Sequence, residues 1–115
     1  MKTQNTTPAI KVIVLVARKY AEVTEQYLEH REKDVRHMLA ALEQGNYDRI
    51  WALGHNMKGT GAAFGLDYIT EMGRSIEKAA KDEEPKEVRR LTAKLRNYLG
   101  RVELVAGQAS PWLTT

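Results

Sequence analysis

The chain has 115 residues, the size of one domain and enough to bury a single core. At 43% hydrophobic and 29% charged it has a globular composition, not a disordered one. Without cysteine it has no disulfide, thiolate nucleophile or Cys-based zinc site, and a net charge of +3, from 18 basic and 15 acidic residues, is too small and too evenly spread to imply a nucleic-acid partner.

Residues 1–10 are polar around Pro8 and read as a loose terminus. The longest apolar run, Val12 to Ala17, is too short to span a bilayer, and Pro8 and Lys11 make it a poor signal peptide. A soluble cytoplasmic protein with no membrane association is expected. Lys11 to Val16 is β-branched enough for a strand, but no second strand-like segment is evident and an isolated strand is not viable. This stretch is therefore expected to lead into the helices as a short helix or an extended segment.

From Tyr20 onward, Val23, Tyr27, Leu28, Val35, Met38, Leu39 and Leu42 follow helical spacing. Gly45 can stop that helix in the left-handed conformation and Asn46 can cap the next. Tyr47, Ile50, Gly54, Met57, Gly61 and Phe64 then recur every three or four residues up to Gly65. Asp67 is the expected N-cap of a third helix with Ile69, Met72, Gly73, Ile76 and Ala80 on its inner face. Pro85 suits the first turn of a fourth, whose apolar positions are Val88, Leu91, Leu95, Tyr98 or Leu99, and Val102. The expected fold is all-α: an up-down antiparallel four-helix bundle within 11–106, preceded by the extra N-terminal segment and followed by a tail, 107–115.

The most informative stretch is His55-Asn56-Met57-Lys58-Gly59-Thr60-Gly61-Ala62-Ala63-Phe64-Gly65. Positions i, i+3 and i+4 share one patch of a helix, so His55 has an ammonium beside it and a bare backbone one turn above. With Ile50 at the centre of the buried stripe, His55 falls about 140° away, flanked by Lys58 at about 80° and Ala62 at about 120°. Trp51 lies one turn earlier on the same flank. Gly54, Gly59 and Gly61 inside the helix each cost about 1 kcal/mol relative to alanine. Gly54 and Gly61 can let a neighbouring helix approach, whereas Gly59 points to solvent and leaves space above the imidazole. An ordinary surface histidine beside a lysine is the plainer alternative, and Gly59 argues against it. His30 and His37, seven apart among Glu29, Arg31, Lys33 and Asp34, read as a solvated face without metal-ligand spacing.

His55-x-x-Lys58-Gly59-Thr60-Gly61-Ala62-Ala63-Phe64-Gly65, preceded by Ile50-Trp51-Ala52-Leu53-Gly54, resembles the signature of histidine-containing phosphotransfer (HPt) domains. The likeness extends to Tyr27–Arg31 and Leu39–Tyr47 before it and to Ile69–Gly73 and Ile76–Ala80 after it, over roughly residues 20 to 105. Close relatives are expected to carry a proline near Glu25; this chain has none, so a break in the first helix is in question. The resemblance implies a helical bundle that accepts a phosphoryl group on one histidine from a receiver's aspartyl-phosphate and passes it to another receiver aspartate. It implies His55 as phosphoacceptor, Lys58 as charge neighbour and Gly59 as clearance for the partner; Trp51 and Ala62, which flank His55 on the helix, are expected in the docking surface. The implied partners are response-regulator receiver domains and a hybrid histidine kinase, the chain itself being a monomer.

The chemistry agrees. Neutral imidazole is a good nitrogen nucleophile, and a lysine can neutralise a phosphoryl anion. There is no P-loop, Gly-rich nucleotide loop or acidic magnesium cluster, so a phosphocarrier without ATP-dependent kinase activity is expected. No cofactor is expected on this chain; Mg²⁺ belongs to the receiver. Two other readings stay open: the phosphorylatable N-terminal domain of a chemotaxis-type kinase, and a helical adaptor whose histidine is never modified.

Overall fold

A computed structural model describes residues 10–107. In chain order they form β1 (Val12–Ala17), a 3₁₀ turn at Arg18–Tyr20, α1 (Ala21–Glu43), α2 (Tyr47–Thr60), a 3₁₀ turn at Ala62–Phe64, α3 (Asp67–Lys81), α4 (Pro85–Arg101) and β2 (Val102–Gly107). Four helices carry most of the chain, and local chemistry sets their ends. Gly45 adopts φ 65°, a conformation that disfavours a β-carbon, and closes α1. Asn46 caps α2, its Oδ1 accepting a hydrogen bond from the Arg49 amide at 3.1 Å. Gly65, at φ 75°, closes the 3₁₀ turn after α2. Pro85 opens α4 at a position where its missing N–H is no loss. Helix α1 runs unbroken through Glu25.

Met38, Ile50, Met57, Ile69, Ile76, Val88 and Leu95 are shut off from solvent and build one core shared by all four helices. Each such side chain stabilises the fold by about 1.5–3 kcal/mol. Contacts between α2 and α3 run from Gly61 against Thr70 to Gly54 against Glu77, so these two helices lie in opposite directions. Tyr27 and Arg31 of α1 reach Thr60 and Asn56 of α2 in the same inverted order.

The all-α expectation needs correction. Lys11 to Val16 does have a partner: β1 pairs in parallel with β2 from Val12↔Val102 to Ala17↔Gly107. Val102-Glu103-Leu104-Val105 reads as the end of a helix if its apolar residues are assigned a period of three to four; it also alternates, and the chain leaves α4 at Val102 with φ −68° and ψ 132°. So Val102 is a strand residue, and Gly107 belongs to the sheet, not to a tail. Asp67 is the first residue of α3, not its cap; Leu66 holds the cap position and makes no side-chain cap bond. Tyr20 and Val23 also depart from the expected inner stripe, being about half exposed at 52% and 45%. Residues 1–9 of the expected loose terminus and the tail beyond Gly107 lie outside the described residues.

Among the described residues no helix is long and apolar enough to cross a membrane, and no group of three or more His, Asp or Glu side chains could hold a metal ion.

Candidate functional site

Helices α2 and α3 meet with almost nothing between their backbones. A β-carbon on Gly54 would lie 2.9 Å from the Glu77 amide nitrogen, and one on Gly61 would lie 2.6 Å from that of Thr70. From the other side, a β-carbon on Gly73 would overlap the Lys58 amide nitrogen and come within 2.6 Å of the Gly54 carbonyl oxygen. Three glycines therefore set the spacing, and that spacing decides which side chains reach across.

His55 follows Gly54 and points outward at the seam, its side chain 56% exposed. Its Nδ1 lies 2.6 Å from Oε2 of Glu77, which is only 15% exposed. The Lys58 ammonium donates to Oε1 of the same carboxylate at 2.8 Å. One carboxylate thus holds both. The hydrogen bonds from Lys58 first, and from His55 second, keep the Glu77 carboxyl below the usual glutamate range and hence ionised. An ionised acceptor at Nδ1 selects the tautomer with the proton on Nδ1 and leaves the lone pair on Nε2. The indole of Trp51 stacks on the imidazole, with centroids 4.7 Å apart and planes 10° from parallel, fixing the ring's tilt.

Trp51, His55, Lys58, Glu77, Lys78, Lys81 and Asp82 line one shallow open recess. Lys78 is paired there with Asp82 at 2.8 Å. A β-carbon on Gly59 would meet no atom within 4 Å, so the surface of α2 one turn beyond His55 is open.

The structure brings His55, Lys58, Gly59 and Trp51 to one face, as the helical spacing predicts. Ala62 is exposed one turn further on, but in the 3₁₀ turn rather than in α2, with its amide donating to Thr70 Oγ1 at 2.7 Å. Gly61 likewise caps α2 instead of lying inside it. Lys58 lies beside His55, and its ammonium is engaged by Glu77, the same carboxylate that holds the ring. Glu77 itself was not singled out from the sequence. A signal for it exists, since Gly73 and Glu77 are one turn apart on α3 and a glycine in each of two buried stripes marks where helices cross closest. His30 and His37 lie on α1 and take no part in the recess.

A family model described as "Hpt domain" matches residues 22–104, and the chain belongs to that family. Hpt domains carry out histidine phosphotransfer in phosphorelays, where they interact with receiver domains and kinases. No curated protein and no solved structure matches the chain significantly.

Proposed function

We propose that this protein accepts a phosphoryl group on Nε2 of His55 from the aspartyl-phosphate of a receiver domain and passes it to the aspartate of another. The observation that carries this reading is the Nδ1 contact to Glu77 at 2.6 Å on an otherwise exposed ring. It makes Nε2 the nucleophile and turns it toward an incoming partner.

In the transfer the Nε2 lone pair attacks phosphorus as the bond from phosphorus to the aspartyl oxygen breaks, and the receiver carboxylate leaves with that electron pair. The imidazole, still carrying its Nδ1 proton, becomes a cation. The ionised Glu77 lies against that nitrogen and offsets the charge as it develops. The reverse reaction uses the same groups, so the site is suited to relay in both directions. Lys58 balances Glu77 before transfer and can turn toward the phosphoryl oxygens once the imidazolium takes over that carboxylate. Trp51 holds the ring and, with Ala62, forms part of the surface under the docked receiver. Gly59 keeps the approach clear. Magnesium and the acidic residues that bind it come with the receiver. The partners fitting this role are response-regulator receivers and a hybrid histidine kinase in the cytoplasm, the four helices standing as an up-down bundle.

The test is to incubate the protein with a phosphorylated receiver domain and Mg²⁺, then assay acid-labile, base-stable phosphate. Parent protein should acquire it and His55→Gln should not. A His55→Gln variant labelled at the parent rate would refute the assignment.

A further inference from the structure

The positive charge of this chain is unevenly placed. Helix α4 carries Lys86, Arg89, Arg90, Lys94, Arg96 and Arg101 against one acid, Glu87. The first five are exposed and Arg101 is half-buried. Taking about 100° per residue from the core position Val88, the six cover the sector from about 80° to about 240°, the solvent side of the helix. Glu87 is engaged within the helix, accepting hydrogen bonds from Nε and Nη2 of Arg90 at 2.9 and 2.7 Å. Lys86, Arg89, Lys94 and Arg96 have no ion-pair partner among the described residues. Like charges three and four residues apart oppose helix formation, and the bundle supplies these no carboxylate in return.

The surroundings of the strip indicate what it fits. It widens onto both neighbouring helices: a hollow against α1 is lined by Arg36 as well as Arg96, and one against α3 by Tyr68 as well as Arg90 and Lys94. Its length is bounded. Asp82, Glu83 and Glu84 are exposed just before Pro85, and Glu103 is exposed just beyond Arg101. The strip is therefore as long as α4, about 25 Å for 17 residues, with carboxylates at both ends. A nucleic acid running past either end would meet those carboxylates. A lipid surface would find no apolar side to take up, because α4 turns Val88, Leu91, Leu95 and Leu99 into the core. The chain's own ends cannot neutralise the strip, since residues 1–9 and 108–115 contain no Asp or Glu. A polypeptide segment of similar length, rich in carboxylates, matches it in sign and extent.

We infer that the outer face of α4 is a docking surface for an acidic segment of a partner protein. α2 and α4 each pack on α1 and α3 and so stand at opposite corners of the bundle, and no residue of α4 enters the recess around His55. A partner held at α4 leaves His55 open to a receiver domain. Where the segment and the receiver belong to one protein, docking at α4 raises the receiver's effective concentration at the histidine.

The probe is a fluorescein-labelled helical peptide of about 16 residues, close to the length of α4, with glutamate at every third or fourth position, used beside its glutamine counterpart. Anisotropy titrations with the full chain are run at about 30 mM and about 300 mM salt, either side of the concentration at which the Debye length is about 10 Å. The glutamate peptide should bind and the glutamine peptide should not, with affinity falling about tenfold or more at the higher salt. Arg89→Glu, Lys94→Glu and Arg96→Glu should each weaken binding several-fold with unchanged helix content, and Arg89→Gln and Arg96→Gln should weaken it less. Arg74→Glu, exposed on α3 outside both hollows, changes the total charge equally and should bind like the parent. No binding at low salt would overturn the proposal, and so would an Arg74→Glu loss equal to that of the α4 exchanges. Tighter binding of a DNA duplex of similar length, or of phosphatidylserine vesicles, would overturn it in favour of that partner. A doubled sedimentation mass abolished by the α4 exchanges would give the surface to a second copy instead. Labelling of His55 by a phosphorylated receiver domain should be equal in all these variants; its loss in the α4 exchanges would put α4 under the docked receiver and overturn a separate surface.

Discussion

Gly73 of α3 lies directly against Gly54 of α2, so close that a β-carbon on Gly73 would come within 2.6 Å of the Gly54 carbonyl oxygen. The obstructing atoms are backbone, which cannot rotate away. Gly73→Ala should therefore force the helices apart and destabilise the protein by about 1–3 kcal/mol, in the range of overpacked cores. The same displacement should pull Glu77 off His55. A melt within a degree of the parent would show that the seam tolerates a methyl group.

Gly59 predicts the opposite. No atom would lie within 4 Å of its β-carbon, so Gly59→Ala should stabilise the helix by about 1 kcal/mol. Gly59→Gln should melt no lower than the parent yet transfer phosphate far more slowly, because it fills the approach to His55. Melts and transfer rates on both variants check this. Normal transfer by the glutamine variant would remove the clearance role.

His55→Ala should abolish phosphoryl acceptance with helix content intact and a stability change of about 1 kcal/mol or less, since an exposed pair contributes little. His30 and His37 should be replaceable without loss. Circular dichroism and phosphate incorporation measured on the three variants separate these outcomes.

Glu77→Gln should keep the fold and slow transfer about ten- to a thousandfold, the range for losing one preorganised electrostatic partner. It should also change acid stability. The folded Glu77 carboxyl lies below the usual glutamate range, so its pairing stabilises the protein above that range and is lost as pH falls through the lower folded value. Urea melts between about pH 3 and pH 6 should fall more steeply toward acid in the parent than in Glu77→Gln. Parallel profiles would mean that Glu77 is not held by its neighbours.

Lys58→Ala should slow transfer several-fold to a hundredfold without stopping it. It should also remove the main hydrogen bond that keeps Glu77 ionised and so flatten the same acid profile. A rate equal to the parent's would reduce Lys58 to surface charge.

Much of this protein was legible from local rules. The helix ends at Gly45-Asn46 and Pro85 were readable because each depends on the conformational preference of one or two residues, whereas α2 stops at Thr60, before the Gly65 expected to close it. His55, Lys58 and Gly59 were readable as one outward patch because helical spacing alone places them there. The core positions followed from the same period. What sequence left undecided depends on pairs distant in the chain. Val102 to Gly107 fits a helical and an alternating period equally well over so few residues, and only β1, 90 residues earlier, resolves it by offering backbone partners. Glu77 looks like any exposed glutamate on a charged helix. It becomes the residue that orients His55 only because Gly54 and Gly73, 19 positions apart, remove every atom between two backbones and bring a carboxylate to hydrogen-bond distance of an imidazole. The sequence set the chemistry available on each helix; the crossing of α2 and α3 decided which groups meet, because side-chain hydrogen bonds reach only about 3 Å and a single helix cannot bring residues 22 apart within that range.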